Sequence, residues 1–358
     1  MFNAARSTVV LFFLLCCGVA SAQAEGIGLI APLSGQVALL GQQMRDGAEL
    51  AAETIMPDAG ALQVADDACT AEGGEAAARQ MVEAQVQLVI GFLCTESIRA
   101  ALPALSAAGI PVVTPGVRTD SLTDNRERDG SLIYRMTARA DGEREAVSRL
   151  LIPRWRDALF ALVDDGTIYG RELIESFRLA AENAGLKAVF VDTYRPQMEN
   201  QVGLVSRLRR AGATHVLVGG DREDVAIIGR DAAGLDFPLT IAAGEALRAA
   251  AGNTPLAEGT LMVGLPEPAE IASQAALEAF ARRDLIPEGY MLPAYAAVEL
   301  ARTALERADE SGRTVTQALS ENAFPTSLGE IRFDQRGDLS QSPYRLYRFD
   351  GQSFVKAE

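Results

Sequence analysis

From Gly26 onward, short apolar runs alternate with longer amphipathic stretches. That rhythm belongs to a parallel sheet covered by helices on both faces. The expected strands of a first series are Ile27–Ala31, 62–65, Leu88–Gly91 and 111–114. Met44, Ala48, Ala51 and Ile55 recur at helical spacing, and 75–84 and 97–107 predict two further helices, the second carrying Pro103 as a site of kinking. A second series follows 133–136, with strands at 159–163, 188–191, 215–218 and 239–242. Helices fall between them, among them 172–183, which Gly185 stops. A strand near 261–263, helices at 271–282 and 293–307, and two last strands near 331–333 and 344–349 complete the reading.

Two βα series in a chain of 358 residues, 48% of them hydrophobic, predict an α/β protein of two doubly wound lobes. No low-complexity tract or long linker separates the series, so the crossings between lobes must be short. They are expected near Met136, Leu265 and Phe333, which gives a three-segment hinge. One lobe is then 25–136 with 266–333, and the other 137–265 with 334–358.

The N-terminus carries Arg6, an apolar run over 9–17, and then Gly18, Ala20, Ser21, Ala22 and Ala24. A spanning helix needs roughly 20 apolar residues and this run is about half that, so 1–24 reads as a cleaved secretion signal, cut after Ala22 or Ala24. Neither cut leaves a cysteine where a lipoprotein signal needs one. Cys16 and Cys17 would leave with the signal and only Cys69 and Cys94 would remain. Export to an oxidising compartment makes a disulfide between them the expectation, the alternative being two reduced buried thiols. On the chain-entropy model a loop of this span contributes roughly 3–4 kcal/mol.

Several chemistries fit poorly. The net charge of -15 becomes -16 on losing Arg6, the only charged residue before Glu25. So acidic a surface repels phosphate backbones, and no basic stripe offsets it, which argues against nucleic acid as a partner. The only histidine, His215, falls inside an expected strand, so Ser34 and Ser97 lack a base for nucleophilic hydrolysis. One histidine and two cysteines also make a poor zinc site. Asp66-Asp67 and Asp164-Asp165 lack the loop pattern of a calcium site and read as strand-end caps. Gly26-Ile27-Gly28-Leu29-Ile30-Ala31 matches a dinucleotide fingerprint only in letters. Its glycines precede and enter the strand, whereas a pyrophosphate cradle follows it. No cofactor or metal is expected, and no enzymatic step.

Binding fits better. Ligands of doubly wound sheets sit at the carboxyl ends of strands, where loops and helix N-termini present free N–H groups. Thr95 and Ser97, Gly116 and Arg118, Tyr169, Asp221 and Glu245 all follow expected strand ends. The plainer reading is that Thr95 and Asp221 cap helices and that Arg118 and Glu245 are solvated charges.

Taken together, several segments are similar to the Leu/Ile/Val-binding family of periplasmic proteins, the type I solute-binding proteins of branched-chain amino acid ABC importers. They are Asp66-Asp67-Ala68-Cys69, Val89-Ile90-Gly91-Phe92-Leu93-Cys94-Thr95, Gly109-Ile110-Pro111 and Thr114-Pro115-Gly116. Support comes from Ala31-Pro32-Leu33-Ser34-Gly35, Val218-Gly219-Gly220, Ala232-Ala233-Gly234-Leu235, and Phe333-Asp334 with Gly337-Asp338-Leu339. The resemblance implies that Thr95, Gly116 and Arg118 hold a ligand α-carboxylate. It implies that Glu245 holds the α-ammonium and that Tyr169 lines the pocket. It further implies a monomer in the periplasm that closes on a small amino-acid-like ligand and delivers it to ABC permease subunits. Arg118, and Leu40 and Asp221 at positions often aromatic in the family, depart from its pattern. Arg118 would favour a ligand carboxylate or pair with Asp221 or Glu245 as a latch, and Asp221 beside Glu245 would favour positive or hydroxyl character. The same fold also serves sensors and regulatory interaction proteins not tied to transport.

Overall fold

The computed structural model describes residues 26–57 and 62–357, so the secretion signal expected over 1–24 lies outside the described residues. The strands are β1 (Ile27–Ala31), β2 (Gln63–Asp66), β3 (Leu88–Gly91), β4 (Val112–Thr114) and β5 (Ile133–Arg135), then β6 (Phe160–Asp164), β7 (Phe190–Thr193), β8 (His215–Gly219), β9 (Thr240–Ala243) and β10 (Leu261–Gly264). After them come β11 (Ala323–Thr326), β12 (Gly329–Arg332), β13 (Arg345–Phe349) and β14 (Phe354–Lys356). The first sheet is parallel, in the order β2-β1-β3-β4-β5. In the second, β14-β13-β10-β9-β8-β6-β7, the five strands β6–β10 are parallel and repeat the order of the first sheet, while β13 and β14 are added antiparallel.

Strand pleating explains how each sheet is covered on two sides. Side chains alternate between faces, so Leu29 and Ile90 join one core while Ile30 and Val89 join another. The first of these cores takes the helices Ala38–Ile55 and Met291–Ser311, and the other takes Ala71–Glu83 and Thr95–Ala107. The second sheet divides in the same way. Val163 and Val216 face the helices Val202–Arg210 and Arg222–Gly234, whereas Leu162 and Leu217 face Gly142–Leu151 and Ile168–Asn183. The fold is thus α/β with two doubly wound lobes, and the chain passes between the sheets after β5, after β10 and before β13.

Three local differences from the sequence reading have simple causes. The single helix expected over 271–282 is broken into Pro268–Ile271 and Gln274–Ala281. Ala272 and Ser273 are extended, and the Ser273 hydroxyl accepts from Ala276 N–H to start the second helix. The strand expected near 331–333 is one arm of the β11–β12 hairpin, whose other arm contains Pro325. Finally, β14 follows β13 where only one strand was expected after 331–333, and its pairing to β13 leaves it at the sheet edge.

Both strand orders reverse direction, between β1 and β3 and again between β6 and β8, and it is at the strands' carboxyl ends beside such reversals that doubly wound sheets bind ligands. The disulfide Cys69–Cys94, with a Cα–Cα distance of 5.3 Å, ties the loop after β2 to the residue preceding the helix Thr95–Ala107. Asp67, buried beside it, accepts from the Ser97 hydroxyl at 2.6 Å and from Cys69 N–H at 3.1 Å. The loop after β3 is therefore anchored where the helix Thr95–Ala107 begins.

Candidate functional site

Arg118 follows β4 in the first lobe and Glu245 follows β9 in the second, yet they meet: Arg118 Nη1 lies 3.5 Å from Glu245 Oε2. Arg118 also donates from Nε to the Ala138 carbonyl at 3.2 Å and from Nη2 to the Tyr344 hydroxyl. Both partners of the ion pair are partly solvated, at 35% and 22% side-chain exposure, so the pair is worth no more than about 1 kcal/mol. Charge-assisted N–H···O bonds close to about 2.7–2.9 Å, so these two charges attract without satisfying each other.

Tyr169 reaches the same place through an intermediary. Glu143, in the first turn of the helix Gly142–Leu151, accepts on Oε1 from the Tyr169 hydroxyl at 2.9 Å and from Glu245 N–H at 2.6 Å. Only 8% of Glu143 is exposed. Burial pushes its pKa up, and the Glu245 charge adds to this, while the two donors and Arg118 oppose it. Burial, reinforced by Glu143, likewise raises the Tyr169 phenol, so Tyr169 remains a neutral hydrogen-bond donor. Gly244 makes the arrangement possible: a Cβ there would stand 2.0 Å from Glu143 Oε1 and 2.4 Å from the Tyr169 hydroxyl oxygen. Glu245 Oε1 in turn accepts from Leu265 N–H at 3.3 Å, beside the second crossing.

On the first-lobe side, Thr95 opens the helix Thr95–Ala107, and its hydroxyl shares a hydrogen bond of 2.6 Å with that of Thr119, next to Arg118. Gly116 packs so closely that a Cβ would lie 2.4 Å from Leu93 Cδ2, and its N–H turns back to the Thr114 hydroxyl at 3.3 Å. Arg118, Glu245 and Tyr169 are thus brought together, with Gly116 on the Arg118 loop and Thr95 bonded through its hydroxyl to Thr119 beside Arg118. Asp221 caps a helix. It is exposed, and its Oδ1 accepts from Asp224 N–H at 2.9 Å as the N-cap of the helix Arg222–Gly234, the plainer of the two readings. The acid touching Glu245 is Glu143, not Asp221.

Glu143, Tyr344 and Thr119 are the members that sequence reasoning missed. Glu143 sits in a charged run, Asp141 to Glu145, that reads as a solvated helix start, and Tyr344 is 226 residues from Arg118. The remaining acidic pairs serve their own loops. Asp66 Oδ1 accepts from Leu33 and Ala68 N–H, Asp164 from Gly166 N–H, and Asp165 from both the N–H and the hydroxyl of Thr167. His215 bonds Thr214 and packs on Trp155, with burial lowering its pKa.

Two doubly wound lobes with opposite charges facing each other between them define a two-lobed solute-binding protein. A sequence profile of the periplasmic binding protein family matches residues 26–353, and the chain belongs to that family, whose members are solute-binding proteins and not enzymes. It is 28% identical over 345 residues to the Leu/Ile/Val-binding protein BraC3 of Rhizobium johnstonii, covering 93% of each chain. It is 29% identical over 339 residues to the leucine-, isoleucine-, valine-, threonine-, and alanine-binding protein of Pseudomonas aeruginosa, covering 90% of this chain and 89% of that protein. A solved ABC transporter substrate-binding protein of Desulfitobacterium hafniense, in complex with Leu, superposes with a TM-score of 0.64 at 25% identity, over 92% of this chain and 99% of that one. Among the described residues no helix is long and apolar enough to cross a membrane.

Proposed function

We propose that this protein is the periplasmic solute-binding component of an ABC importer for a branched-chain or related amino-acid-like compound. After removal of a signal over 1–24 it works as a monomer and captures its ligand by hinge closure. The lobes comprise 25–136 with 266–333 and 137–265 with 334–358, to within the length of each crossing. Arg118, Thr95 and the Gly116 loop take the ligand carboxylate, Glu245 takes the ammonium, and Tyr169, held by Glu143, lines the second-lobe wall.

The observation that carries this reading is the approach of Arg118 and Glu245 from different lobes to 3.5 Å. A zwitterion placed between them gives each charge a closer partner, and neither of its own charges is then buried unpaired. The ligands named for the relatives above are amino acids, which agrees with this chemistry.

The test is calorimetry and thermal denaturation of the mature protein against a panel of L-amino acids and their amides. A bound ligand at about 1,000 times its Kd stabilises by roughly 4 kcal/mol. Glu245→Gln should weaken binding by about 2–5 kcal/mol, the range for losing one partner of a buried charge pair. The absence of any response from the wild-type protein across the panel would overturn the proposal.

A further inference from the structure

Arg135, the last residue of β5, is 0% exposed, and it is the hub of a buried charge network that the cleft chemistry above does not use. Its Nε donates to Asp338 Oδ1 at 2.9 Å, its Nη1 to the Thr119 carbonyl at 2.9 Å, and its Nη2 to the Thr123 hydroxyl at 2.5 Å. Asp338, whose side chain is 4% exposed, accepts on Oδ2 from Arg139 Nη1 at 3.1 Å and from the Thr123 hydroxyl at 2.9 Å. Arg139 is also paired with Asp141, Asp124 and Asp120.

These residues come from three places that are distant in sequence. Thr119 belongs to the loop carrying Arg118, Arg135 ends β5 where the first crossing begins, Met136 to Asp141 form that crossing, and Asp338 lies on the third. Backbone bonds tighten the join: Ala140 N–H to the Arg118 carbonyl at 2.9 Å, Arg135 N–H to the Gly337 carbonyl at 2.7 Å, and Ser340 N–H to the Arg332 carbonyl at 2.8 Å. Asp141 N–H adds a bond to Asp120 Oδ1 at 3.1 Å. The second crossing is joined to the opposite lobe, since Leu265 N–H bonds Glu245 and Arg248 pairs with Glu267 at 2.8 Å.

We propose that Arg135 and Asp338 are positioning residues that lock the Arg118 loop, the first crossing through Asp141 and the third through Ser340 into one rigid body. The lobes then pivot at Gly142, after Glu267 and at Gln341 to Pro343, beyond the sheet edges. This rests on the two-lobed binding reading for its purpose, because it makes the arginine that meets the ligand move with the hinge. A buried forked guanidinium is suited to such a lock because its donors bind three acceptors in fixed directions, which a flexible ammonium cannot reproduce.

The test is hydrogen–deuterium exchange on the ligand-free mature protein, which requires no knowledge of the ligand. In the wild type, the amides of Met136, Ala140 and Asp141 should exchange within about tenfold of those in β5; a hinge at the sheet edge would open them at each excursion, and exchange about a thousandfold faster would overturn the proposal. Arg135→Lys keeps a positive charge opposite Asp338 but loses the fork. Its amides over 122–124, bonded to the Thr119 and Asp120 carbonyls, and those of Ala140 and Asp141 should lose at least about tenfold protection while those of β1 and β3 keep theirs. Asp338→Asn should loosen the same segments together with 334–338. Unchanged protection over 122–124 and 140–141 in both variants, or equal loss throughout β1–β5, would refute a positioning role, and the wild-type measurement stands even if a variant fails to fold. Failure to bind any amino acid would sink the function proposed above and leave this result untouched.

Discussion

Replacing Asp224 by asparagine should make the protein more stable at neutral pH and should make no difference in acid. Asp224 lies in the first turn of the helix Arg222–Gly234 and is 1% exposed. Its Oδ1 accepts from Gln197 N–H at 2.9 Å, but its Oδ2 is buried without a hydrogen-bond partner, as is the neighbouring Tyr194 hydroxyl. Burial above all, with the charges of Asp221, Asp165 and Glu223, pushes its pKa up to about 6 from an ordinary value of 3.8. The folded state therefore holds this proton more tightly than the unfolded state. Stability from this group is fully present below the ordinary value and is lost as pH rises through the folded one. A displacement of about two units at about 1.4 kcal/mol each sets a ceiling near 3 kcal/mol. Asparagine keeps an acceptor for Gln197 N–H and carries no charge to desolvate. Asp224→Asn should gain about 1–3 kcal/mol at pH 7.5 and match the wild type near pH 4. Thermal and urea denaturation between pH 4 and 8 measure it. A variant less stable than the wild type at pH 7.5, or a difference that does not narrow toward acid, refutes the reasoning.

Gly244→Ala places a Cβ 2.0 Å from Glu143 Oε1 and should abolish the calorimetric ligand response while leaving the far-ultraviolet circular dichroism spectrum unchanged. Glu143→Ala strips the acceptor from both Tyr169 and Glu245 N–H and should cost about 2–4 kcal/mol in urea denaturation, whereas Glu143→Gln retains an acceptor and should lose less than half of that. Changing Cys69 and Cys94 to serine together removes the only disulfide among the described residues and should lower stability by about 2–4 kcal/mol, read by thermal denaturation against the oxidised wild type.

The parts legible in the sequence are those where burial acts on consecutive residues. β1, β3 and β6 are buried at every position, so their apolar runs declare them as strands covered on both faces. β11 buries only Phe324 fully and β14 buries no residue fully, and nothing in a run of Ala-Phe-Pro-Thr marks a strand. Strand ends drew attention to Arg118 and Glu245, and the structure brings these two residues to 3.5 Å of each other. The same criterion selected Asp221, since an N-cap occupies the same position after a strand as a ligand contact does. What no local pattern carries is pairing across the chain. Arg135 and Asp338 are 203 residues apart, and Glu245 finds Glu143 at a separation of 102.

On the binding reading the two lobes divide the chemistry by sign. The first lobe presents donors, namely Arg118 and the Thr95 hydroxyl, and the second presents the acids Glu245 and Glu143. A zwitterion docked on one lobe alone would have one charge paired and the other left to water. Only approach of the second lobe pairs both, so closure gains its free energy from contacts that do not exist in the open form, as a ligand-driven population shift requires. The Arg118–Glu245 pair at 3.5 Å is then a weak substitute for the ligand. It draws the lobes together too loosely to compete, and a carboxylate and an ammonium inserted between its members replace one long contact with two short ones. A ligand lacking the ammonium would leave Glu245 facing Glu143 without a cation of its own, which sets the direction of selectivity toward amines.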